Sequence, residues 1–430
     1  MNHQLPVIVI GAGPVGLAAA AHLAERGIPF TVLEAGDAPA AAVRAWGHVR
    51  LFSPWRYNID RAARRLLTEA GWVEPDPDVL PTGQQLADDY LQPLADLPAL
   101  KPHMRYDARV VAVTRHGMDR VRTADRESRP FLVRLASGED LAARAVLDAS
   151  GTWRTPNPLG ASGIPAHGEP DAAAFIEPAL PDVLGDDLAS FAGRRILVVG
   201  AGHSAANTLL LLAELAEQVP GTSVVWAIRS ASPARTYGGE TADALPARGA
   251  IGSRLREHVE AGRVEVVTGF AVQHLQTTAD GVRVSDGSRT VRADRIVSAT
   301  GFRPDHGFVA ELRLDLDPIL GATRALAPLI DPNVHSCGTV PPHGVDELTQ
   351  PEPGFYAIGM KSYGRAPTFL MATGYEQARS VVAALDGDWA AARDVQLDLP
   401  ETGVCSSGVP LDTDRIRLPV LGEPAGGCCG

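Results

Sequence analysis

One pattern occurs twice in this 430-residue chain, about 190 residues apart, and it constrains the fold more than any other feature. A short β-branched run, residues 6–10, leads into Gly11-Ala-Gly-Pro-Val-Gly16, and residues 195–199 lead into Gly200-Ala-Gly-His-Ser-Ala205. An Ala- and Leu-rich stretch of helical composition follows each glycine turn. Such apolar runs are typical of strands buried on both faces of a parallel sheet. The chain is therefore predicted to be α/β, with two separate strand–turn–helix units.

The first unit has the features of a dinucleotide-binding turn. Its helix is predicted to end at about Arg26, and a second strand at residues 30–33 leads to Glu34. Glycines permit a tight turn and let a pyrophosphate approach the free N–H groups of the helix N-terminus. A carboxylate after the second strand accepts hydrogen bonds from a ribose hydroxyl. The residues expected to bind this nucleotide are Gly11, Gly13, Pro14, Val15, Gly16 and Glu34.

The second unit differs at the position of the acid. Its second strand, predicted at residues 223–228, is followed by Arg229. An acid there would repel a 2′-phosphate, whereas an arginine pairs with it. The first unit therefore suits the adenosine of FAD, and the second suits NADPH in preference to NADH. The alternative for Arg229 is a solvated arginine at a strand end. The expected NADPH contacts are Gly200, Gly202, His203, Ser204 and Arg229.

Two further segments, 145–151 and 295–301, each predict a strand that ends in a small-small-Gly turn. Together with the glycine turns, Ser150-Gly-Thr-Trp-Arg-Thr-Pro156 and Ala299-Thr-Gly-Phe-Arg-Pro304 resemble the flavin-containing monooxygenase-like branch of the two-dinucleotide-domain flavoproteins. That class includes glutathione and thioredoxin reductases, and the resemblance covers about residues 5–385. It implies that the chain crosses between two nucleotide domains at Ser150, Gly151, Thr300 and Gly301.

The resemblance also implies the domain organisation. An FAD-binding domain is expected to be discontinuous, with residues 1–190 and 305–388, and an NADPH-binding domain to be inserted at 191–304. The fold class is then α/β with two Rossmann-like domains, as in glutathione reductase. Residues 389–430 belong to neither domain and are expected to form an irregular, cysteine-bearing arm.

Further flavin contacts follow from the same resemblance. A helix at about 367–385 is expected to direct its N-terminus at the pyrimidine edge of the flavin, where its dipole stabilises negative charge on the reduced ring. Lys361 either reinforces this effect or is a surface lysine. A loop at 46–54 faces the flavin, and a strand at 108–113 contacts the adenine. The residues expected to make these contacts are Trp46, Arg50, Val110, Gly359, Lys361, Pro367 and Thr368.

The sequence departs from the family pattern in three places. The FxGxxxH motif that precedes the second glycine turn in family monooxygenases is missing, because residues 180–193 contain no histidine. Phe52 and Asn207 stand where many members have Asn and Asp. The redox CxxC or CxxxxC pair of the disulfide reductases is absent, and no cysteine precedes residue 337. The chain is therefore not expected to reduce a disulfide through such a pair.

The four cysteines are concentrated towards the C-terminus, at Cys337, Cys405, Cys428 and Cys429. Polarizable thiolates bind soft ions, and glycines flank the adjacent pair at 428–429. The terminus resembles the C-terminal Cys-Cys of mercuric reductases, and the surroundings of Cys337 and Cys405 resemble arsenic-resistance-associated flavoproteins. The four thiols are therefore predicted to bind a trivalent arsenical or a similar thiophilic ion. Two alternatives are a small apolar role for Cys337 and a zinc site formed by His335, Cys337, His343 and Cys405.

Composition limits the partners of the chain. It contains 39 Lys+Arg against 51 Asp+Glu, a net charge of −12, and no basic block, so a nucleic-acid or anionic-membrane surface is not expected. Residues 5–24 carry no Asp, Glu, Lys or Arg, but glycines and a proline interrupt them, which fits a strand–turn–helix better than a membrane span. Four cysteines are too few for a disulfide scaffold, so a cytoplasmic protein is expected.

The predicted activity combines these observations. Hydride is expected to pass from NADPH to flavin N5, and the reduced flavin to activate O2 for transfer to a lone pair on arsenic(III), as in arsenite or methylarsenite. Lys361 and His203 are the candidate catalytic side chains, although His203 is expected rather to contact the pyrophosphate. Two alternatives stay open: a monooxygenase of an organic amine, sulfide or ketone, and a low-turnover soft-metal sink or sensor. The oligomeric state is left open.

Overall fold

A computed structural model of the chain describes residues 4–239, 243, 245–334, 340–367 and 369–397. The strands in this part of the chain are β1 Val7–Ile10, β2 Phe30–Leu33, β3 Met104–Arg105, β4 Val110–Arg115, β5 Phe131–Leu135, β6 Asp140–Ala143, β7 Ala145–Asp148, β8 Ile176–Glu177, β9 Arg195–Val199, β10 Ser223–Ala227, β11 Glu265–Val267, β12 His274–Thr278, β13 Gly281–Ser285, β14 Thr290–Ala293, β15 Arg295–Ser298 and β16 Phe355–Ala357.

The α-helices of the same residues are α1 Pro14–Glu25, α2 Ala41–Arg44, α3 Arg61–Glu69, α4 Gly83–Gln85, α5 Gln92–Asp96, α6 Leu188–Phe191, α7 His203–Gln218, α8 Ala234–Tyr237, α9 Pro246–Glu260, α10 Ala327–Ile330, α11 Val345–Leu348, α12 Met371–Leu385 and α13 Trp389–Arg393. A π-helical stretch, Leu86–Leu91, joins α4 to α5. The 3-10 turns are Trp55–Tyr57, Lys101–His103, Arg126–Ser128, Ala173–Phe175, Gly307–Val309 and Gly359–Tyr363.

Two five-stranded parallel sheets organise the molecule. The first has the strand order β16-β7-β1-β2-β3, and the second has the order β11-β10-β9-β15-β8. In both sheets the strand before the glycine turn lies in the middle, so the turn opens at the carboxyl edge of the sheet. This is where ligands bind in open parallel sheets. The structure confirms the predicted α/β fold with two Rossmann-like units.

In the sequence of each unit, a three-stranded antiparallel sheet is inserted between two strands of the parallel sheet. Strands β4–β6 come between β3 and β7, and β12–β14 come between β11 and β15. Helix α1 packs between the first sheet and helices α3 and α12, while α7 packs against α9 over the second sheet. The apolar residues of α1 and β1 belong to one buried core. In the part of the chain that the structure describes, no helix is long and apolar enough to cross a membrane.

Two expected element boundaries are wrong. The helix predicted from residue 367 begins at Met371, because Leu370 has an extended backbone and the Phe369 ring packs edge-on against Tyr363 at 5.1 Å. The strand predicted at 108–113 is β4, two residues later, because Ala108 instead bonds to the backbone of Glu34, its N–H lying 2.8 Å from the carbonyl oxygen. Both shifts occur where a segment packs against its neighbour.

A buried carboxylate attaches the first antiparallel sheet to the first parallel sheet. Glu352, just before β16, accepts hydrogen bonds from Arg115 Nε at 2.7 Å and from Arg126 Nη2 at 2.8 Å. All three side chains are almost fully buried. Burial alone would raise the pKa of Glu352, but the hydrogen bonds from Arg126 and Arg115 outweigh it, and the pKa lies below its ordinary value.

We expect Glu352→Gln to destabilise the fold by about 3–5 kcal/mol, because it leaves two buried guanidinium groups without a carboxylate. Urea unfolding at neutral pH measures this. The difference should shrink as the pH falls through the lowered pKa of Glu352, since the wild-type carboxylate then takes up a proton. The control is Glu139→Gln, whose partner Arg105 is exposed, and it should leave the free energy of unfolding almost unchanged.

Candidate functional site

The first glycine of each turn lies against the end of a neighbouring strand. Gly11 has a φ of +100°, and a Cβ placed on it would lie 2.8 Å from the carbonyl oxygen of Ala149, just after β7. Gly200 has a φ of +136°, and its Cβ would lie 2.0 Å from the carbonyl oxygen of Ala299, just after β15. Both positions require glycine for its backbone conformation and for the close approach.

The middle glycine of each turn faces open space. Gly13 and Gly202 are the residues before α1 and α7, and a Cβ on either would meet no atom within 4 Å. Their φ values of −77° and −91° suit any residue, so the backbone does not demand glycine here. An open space at a helix N-terminus without a side-chain cap suits a pyrophosphate, to which the free N–H groups can donate.

Glu34 is fixed beside the first turn. Its Oε2 accepts a hydrogen bond from the Ala12 N–H at 2.8 Å, and its Oε1 accepts one from the Gly36 N–H at 2.8 Å. The side chain is buried, so the two backbone donors replace the water that a carboxylate needs. Each oxygen retains a lone pair that can accept a hydrogen bond from a ribose hydroxyl.

A cavity of about 490 Å³ opens from the first glycine turn and extends between the crossover segments and the residues after β16. Most of the expected first-nucleotide residues line it: Gly11, Gly13, Pro14, Val15, Glu34, Trp46, Val110, Ser150, Gly151, Gly359 and Lys361. Gly16 lies behind the turn, where a Cβ would come within 1.9 Å of the Gly11 carbonyl oxygen. The structure thus gathers residues from six separate segments of the sequence.

Two further expected contacts, Arg50 and Pro367, do not line this cavity. Arg50 is exposed and donates to the Leu80 carbonyl oxygen at 2.7 Å, because its segment pairs with Thr82. Pro367 is exposed and precedes α12 by four residues, so it does not begin that helix. Thr368 lies outside the described residues. The cavity wall near α12 is formed instead by Phe369, Leu370 and Met371.

Several lining residues were not predicted as individual contacts, although the predicted flavin-facing loop contains Leu51 and Phe52 and the predicted crossovers contain Trp153 and Phe302. Most are apolar or aromatic, and they come from the loop after α2, from the two crossovers and from the segment before α12: Leu51, Phe52, Trp153, Phe302, Phe308, Met360, Phe369 and Met371. Arg109 is also in the wall. A lone aromatic residue looks the same in a sequence whether it fills a core or lines a cavity, so only the fold could identify these.

Lys361 is buried, which rules out the surface alternative. It lies in the 3-10 turn Gly359–Tyr363, and its Nζ is 2.6 Å from Asp148 Oδ2 and donates to Ser150 Oγ at 3.1 Å. Phe308 covers the ammonium group, with its ring centroid 4.2 Å from Nζ. Lys361, in the cavity wall, therefore forms a buried ion pair, and its acidic partner, Asp148, was not predicted.

The expected NADPH residues surround the second turn and its crossover. The His203 ring lies 5.3 Å from the Phe52 ring, and burial together with the nearby Arg248 cation lowers the pKa of His203. Ser204 follows in the first turn of α7. Thr300 donates through Oγ1 to the Asn157 carbonyl oxygen at 2.8 Å, and Gly301 accepts from the Asn157 N–H at 2.9 Å.

Arg229 is exposed at the end of β10, next to the open turn. Its guanidinium Nη1 donates to the Ala161 carbonyl oxygen at 3.2 Å. Among the described residues this is one neutral acceptor for a guanidinium that carries five N–H groups, so further donors can bind a phosphate.

The predicted cysteine site lies entirely outside the described residues, which include none of Cys337, Cys405, Cys428 and Cys429. Within the described ranges, no group of three or more His, Cys, Asp or Glu side chains could hold a metal ion. Both ring nitrogens of His343, a ligand in the zinc alternative, are engaged, with Gln377 Nε2 and the Pro341 carbonyl oxygen each at 3.0 Å. His343 therefore gives that alternative no support.

Two dinucleotide turns on separate parallel sheets, with a cavity at the first, define an oxidoreductase that pairs a flavin with a nicotinamide nucleotide. The chain belongs to the pyridine nucleotide-disulphide oxidoreductase family, whose model matches residues 8–321. It is an enzyme that uses FAD and NADP(H). The buried Glu34 carboxylate and the open space over Gly13 fit the adenosine and pyrophosphate of FAD.

Named relatives divide between two activities. Ferredoxin–NADP reductase 1 of Cupriavidus metallidurans is 27% identical over 319 residues, 73% of this chain and 75% of the relative. Indole-3-pyruvate monooxygenase YUCCA1 of Oryza sativa subsp. japonica is 31% identical over 202 residues, 46% of this chain and 42% of the relative. The solved flavin-containing monooxygenase from Stenotrophomonas maltophilia is 21% identical and has a TM-score of 0.57, with 90% of this chain and 99% of that chain covered.

The open space at the middle glycines gives a direct test. We expect Gly13→Ala to fold with a stability within about 1 kcal/mol of wild type, because its φ suits alanine and its Cβ meets nothing. The same methyl group would occupy the place of the pyrophosphate, so FAD affinity should fall by about tenfold or more. Flavin absorbance per protein and thermal unfolding measure the two effects.

Two matched variants show which outcome would contradict this assignment. Gly202→Ala should keep its flavin and instead raise the KM for NADPH. Gly11→Ala should fail to fold normally, because its methyl group meets the Ala149 backbone. Full flavin content in purified Gly13→Ala protein would show that the pyrophosphate lies elsewhere.

Proposed function

We propose that the chain is an NADPH-dependent FAD monooxygenase that oxidises a trivalent arsenical, arsenite or methylarsenite, with cysteine thiolates as ligands of the substrate. One oxygen atom of O2 is added to arsenic, whose lone pair supplies two electrons. NADPH supplies the other two electrons and, with one proton, the second oxygen atom leaves as water. Arsenic(III) becomes arsenic(V), and NADPH becomes NADP⁺.

The observation that carries this proposal is the position of the thiols. The family takes its name from disulphide chemistry, yet this chain has no CxxC or CxxxxC pair, and all its cysteines lie at residue 337 or later. No cysteine lines the cavity among the described residues. Thiolates prefer soft centres, and three of them match the pyramidal coordination of arsenic(III). This role requires reduced thiols, and the cytoplasm keeps thiols reduced, so a cytoplasmic location is part of the proposal.

We assign residues 1–190 and 305–388 to FAD binding, residues 191–304 to NADPH binding, and residues 389–430 to the cysteine-bearing arm. FAD held by these residues would supply the hydride acceptor for NADPH and the site of O2 activation. The protein orients the nucleotides through its two glycine turns and holds the adenosine ribose at Glu34. Aromatic walls that include Phe52, Phe302 and Phe308 exclude water from the reacting region.

His203 is assigned to nucleotide binding rather than proton transfer. Its lowered pKa makes the ring neutral at neutral pH, and the ring packs beside Phe52 next to the second glycine turn. Hydride transfer to a flavin needs no side-chain acid or base. No described side chain is therefore required as a proton donor in this step.

The aromatic lining favours a second candidate function. A largely apolar cavity wall with few polar groups is typical of sites for small organic molecules. One relative is named as a monooxygenase of indole-3-pyruvate and another as a ferredoxin–NADP reductase. An organic amine, sulfide or ketone is therefore the alternative substrate class, and ferredoxin is the alternative electron acceptor.

NADPH-dependent O2 uptake on a panel of compounds tests the proposal. We expect stoichiometric NADPH and O2 consumption with methylarsenite or arsenite, and formation of the pentavalent product. Replacing all four cysteines with serine should abolish this stimulation while FAD stays bound, because the thiolates bind the substrate rather than the cofactor. The panel also contains mercuric ion, amines, sulfides and ferredoxin.

Three outcomes would overturn the arsenical substrate. Coupling only to amines or sulfides indicates the organic monooxygenase, and rapid ferredoxin reduction with little O2 uptake indicates the reductase. Tight binding of mercuric ion or arsenite with almost no turnover indicates a soft-metal sink or sensor. Unchanged stimulation in the four-serine protein would remove the cysteines from the reaction.

Nucleotide preference is tested separately at Arg229. We expect Arg229→Gln to raise the KM for NADPH by about ten- to hundredfold, because a charge-assisted bond to the 2′-phosphate is lost, and to leave the KM for NADH nearly unchanged. Steady-state kinetics with both nucleotides measure the ratio. Arg134→Gln, an exposed arginine paired with Asp140, is the control. Equal losses with both nucleotides would show that Arg229 does not bind the phosphate.

A further inference from the structure

The ion pair between Asp148 and Lys361 is the most deeply buried charged feature of the cavity wall. The Asp148 side chain is 0% exposed and that of Lys361 is 1% exposed. Ser150 links them, since its Oγ donates to Asp148 Oδ1 at 2.6 Å and accepts from Lys361 Nζ at 3.1 Å. The three side chains form one unit, joined by two hydrogen bonds and an ion pair.

Its contacts place this unit at the glycine turn. A Cβ on Gly11 would lie 3.1 Å from the Cα of Ser150, and one on Gly359 would lie 3.2 Å from Val15, in the first turn of α1. The segments that carry Ser150 and Lys361 therefore both pack on the turn and on the start of α1. This is the part of the cavity where the open space over Gly13 suits a phosphate.

A buried ion pair often contributes little net stability to a fold. Removing two charges from water costs several kcal/mol, and well-packed apolar residues of similar size are often as good or better. The ammonium group has three N–H donors, and the structure describes one hydrogen bond from it, to Ser150, while the Asp148 carboxylate contacts it as an ion pair at 2.6 Å. Phe308 covers one side of Nζ. Because Lys361 also lines the cavity, its further donor capacity is available to an anion bound there.

We propose that Lys361, held by Asp148 and Ser150, is the positioning cation for the diphosphate-bearing middle of FAD, and that it does not act on the flavin ring. A diphosphate is the anion that FAD brings to the glycine turn, and a buried ammonium group complements it strongly. Asp148 holds the ammonium group in position when the cavity holds no anion. This inference rests on the FAD site proposed above but not on the arsenical substrate.

The chain has only two lysines, which supplies a matched control. Lys361→Met should weaken FAD binding by about tenfold or more, because a charge-assisted contact is lost and Asp148 then faces the phosphates alone. Lys101→Met, at an exposed lysine paired with Asp96, should not change FAD binding. Release of FAD from the holoprotein and its reconstitution, followed by flavin fluorescence, give the dissociation constants.

Two further readouts separate phosphate binding from a merely structural role. Riboflavin, which has no phosphate, should bind Lys361→Met and wild type equally. The midpoint potential of the bound FAD should be the same in both proteins, because the cation is assigned to the phosphates. A shift in potential, or an equal loss of riboflavin and FAD affinity, would overturn the proposal.

A second variant covers the case in which Lys361→Met does not fold around an unpaired carboxylate. Lys361→Met/Asp148→Asn removes both charges and should bind FAD more weakly than wild type but more tightly than Lys361→Met. A double variant that binds FAD as tightly as wild type would show that the pair is structural only. None of these measurements involves O2 or arsenic, so their failure and that of the proposed reaction are distinguishable.

Discussion

The structure depends on one close approach that occurs twice. Gly11 and Gly200 each bring their backbone against the residue that follows a neighbouring parallel strand, at Ala149 and Ala299. The Ala149 and Ala299 N–H groups also donate to the ends of β1 and β9, each at 2.9 Å. In each sheet, these contacts bring a glycine turn, a helix N-terminus and the start of a crossover together at the carboxyl edge. A side chain at either glycine would separate them.

Buried charges are arranged differently inside and outside the cavity. Outside it, Glu352 and several backbone carbonyls accept hydrogen bonds from two arginines, and the contact attaches one sheet to another. At the cavity, Lys361 donates to Ser150, pairs with Asp148 and keeps further donor capacity. Because a buried donor is unfavourable unless it has an acceptor, we explain the first group of charges by stability and propose a binding role for the second.

The sequence predicted both parallel sheets and most of the first nucleotide site, because these residues act locally. A glycine turn needs its residues in a fixed order between one strand and one helix. The acid that completes the unit, Glu34, directly follows the second strand. The same local reasoning failed at the start of α12, where packing of Phe369 on Tyr363 delays the helix, and at Arg50, whose segment pairs with Thr82. Both errors come from contacts between segments, which residue order alone does not show.

The sequence by itself therefore determined the class of fold, the two glycine turns, the missing redox cysteine pair and the concentration of thiols after residue 336. These follow from residue order and identity, which need no knowledge of neighbours. Only the tertiary structure decided that Lys361 is buried, that Asp148 is its partner, and that aromatic residues from distant segments line one cavity. The reason is that burial and ion pairing depend on which segments meet in space, here 211 residues apart between Ser150 and Lys361.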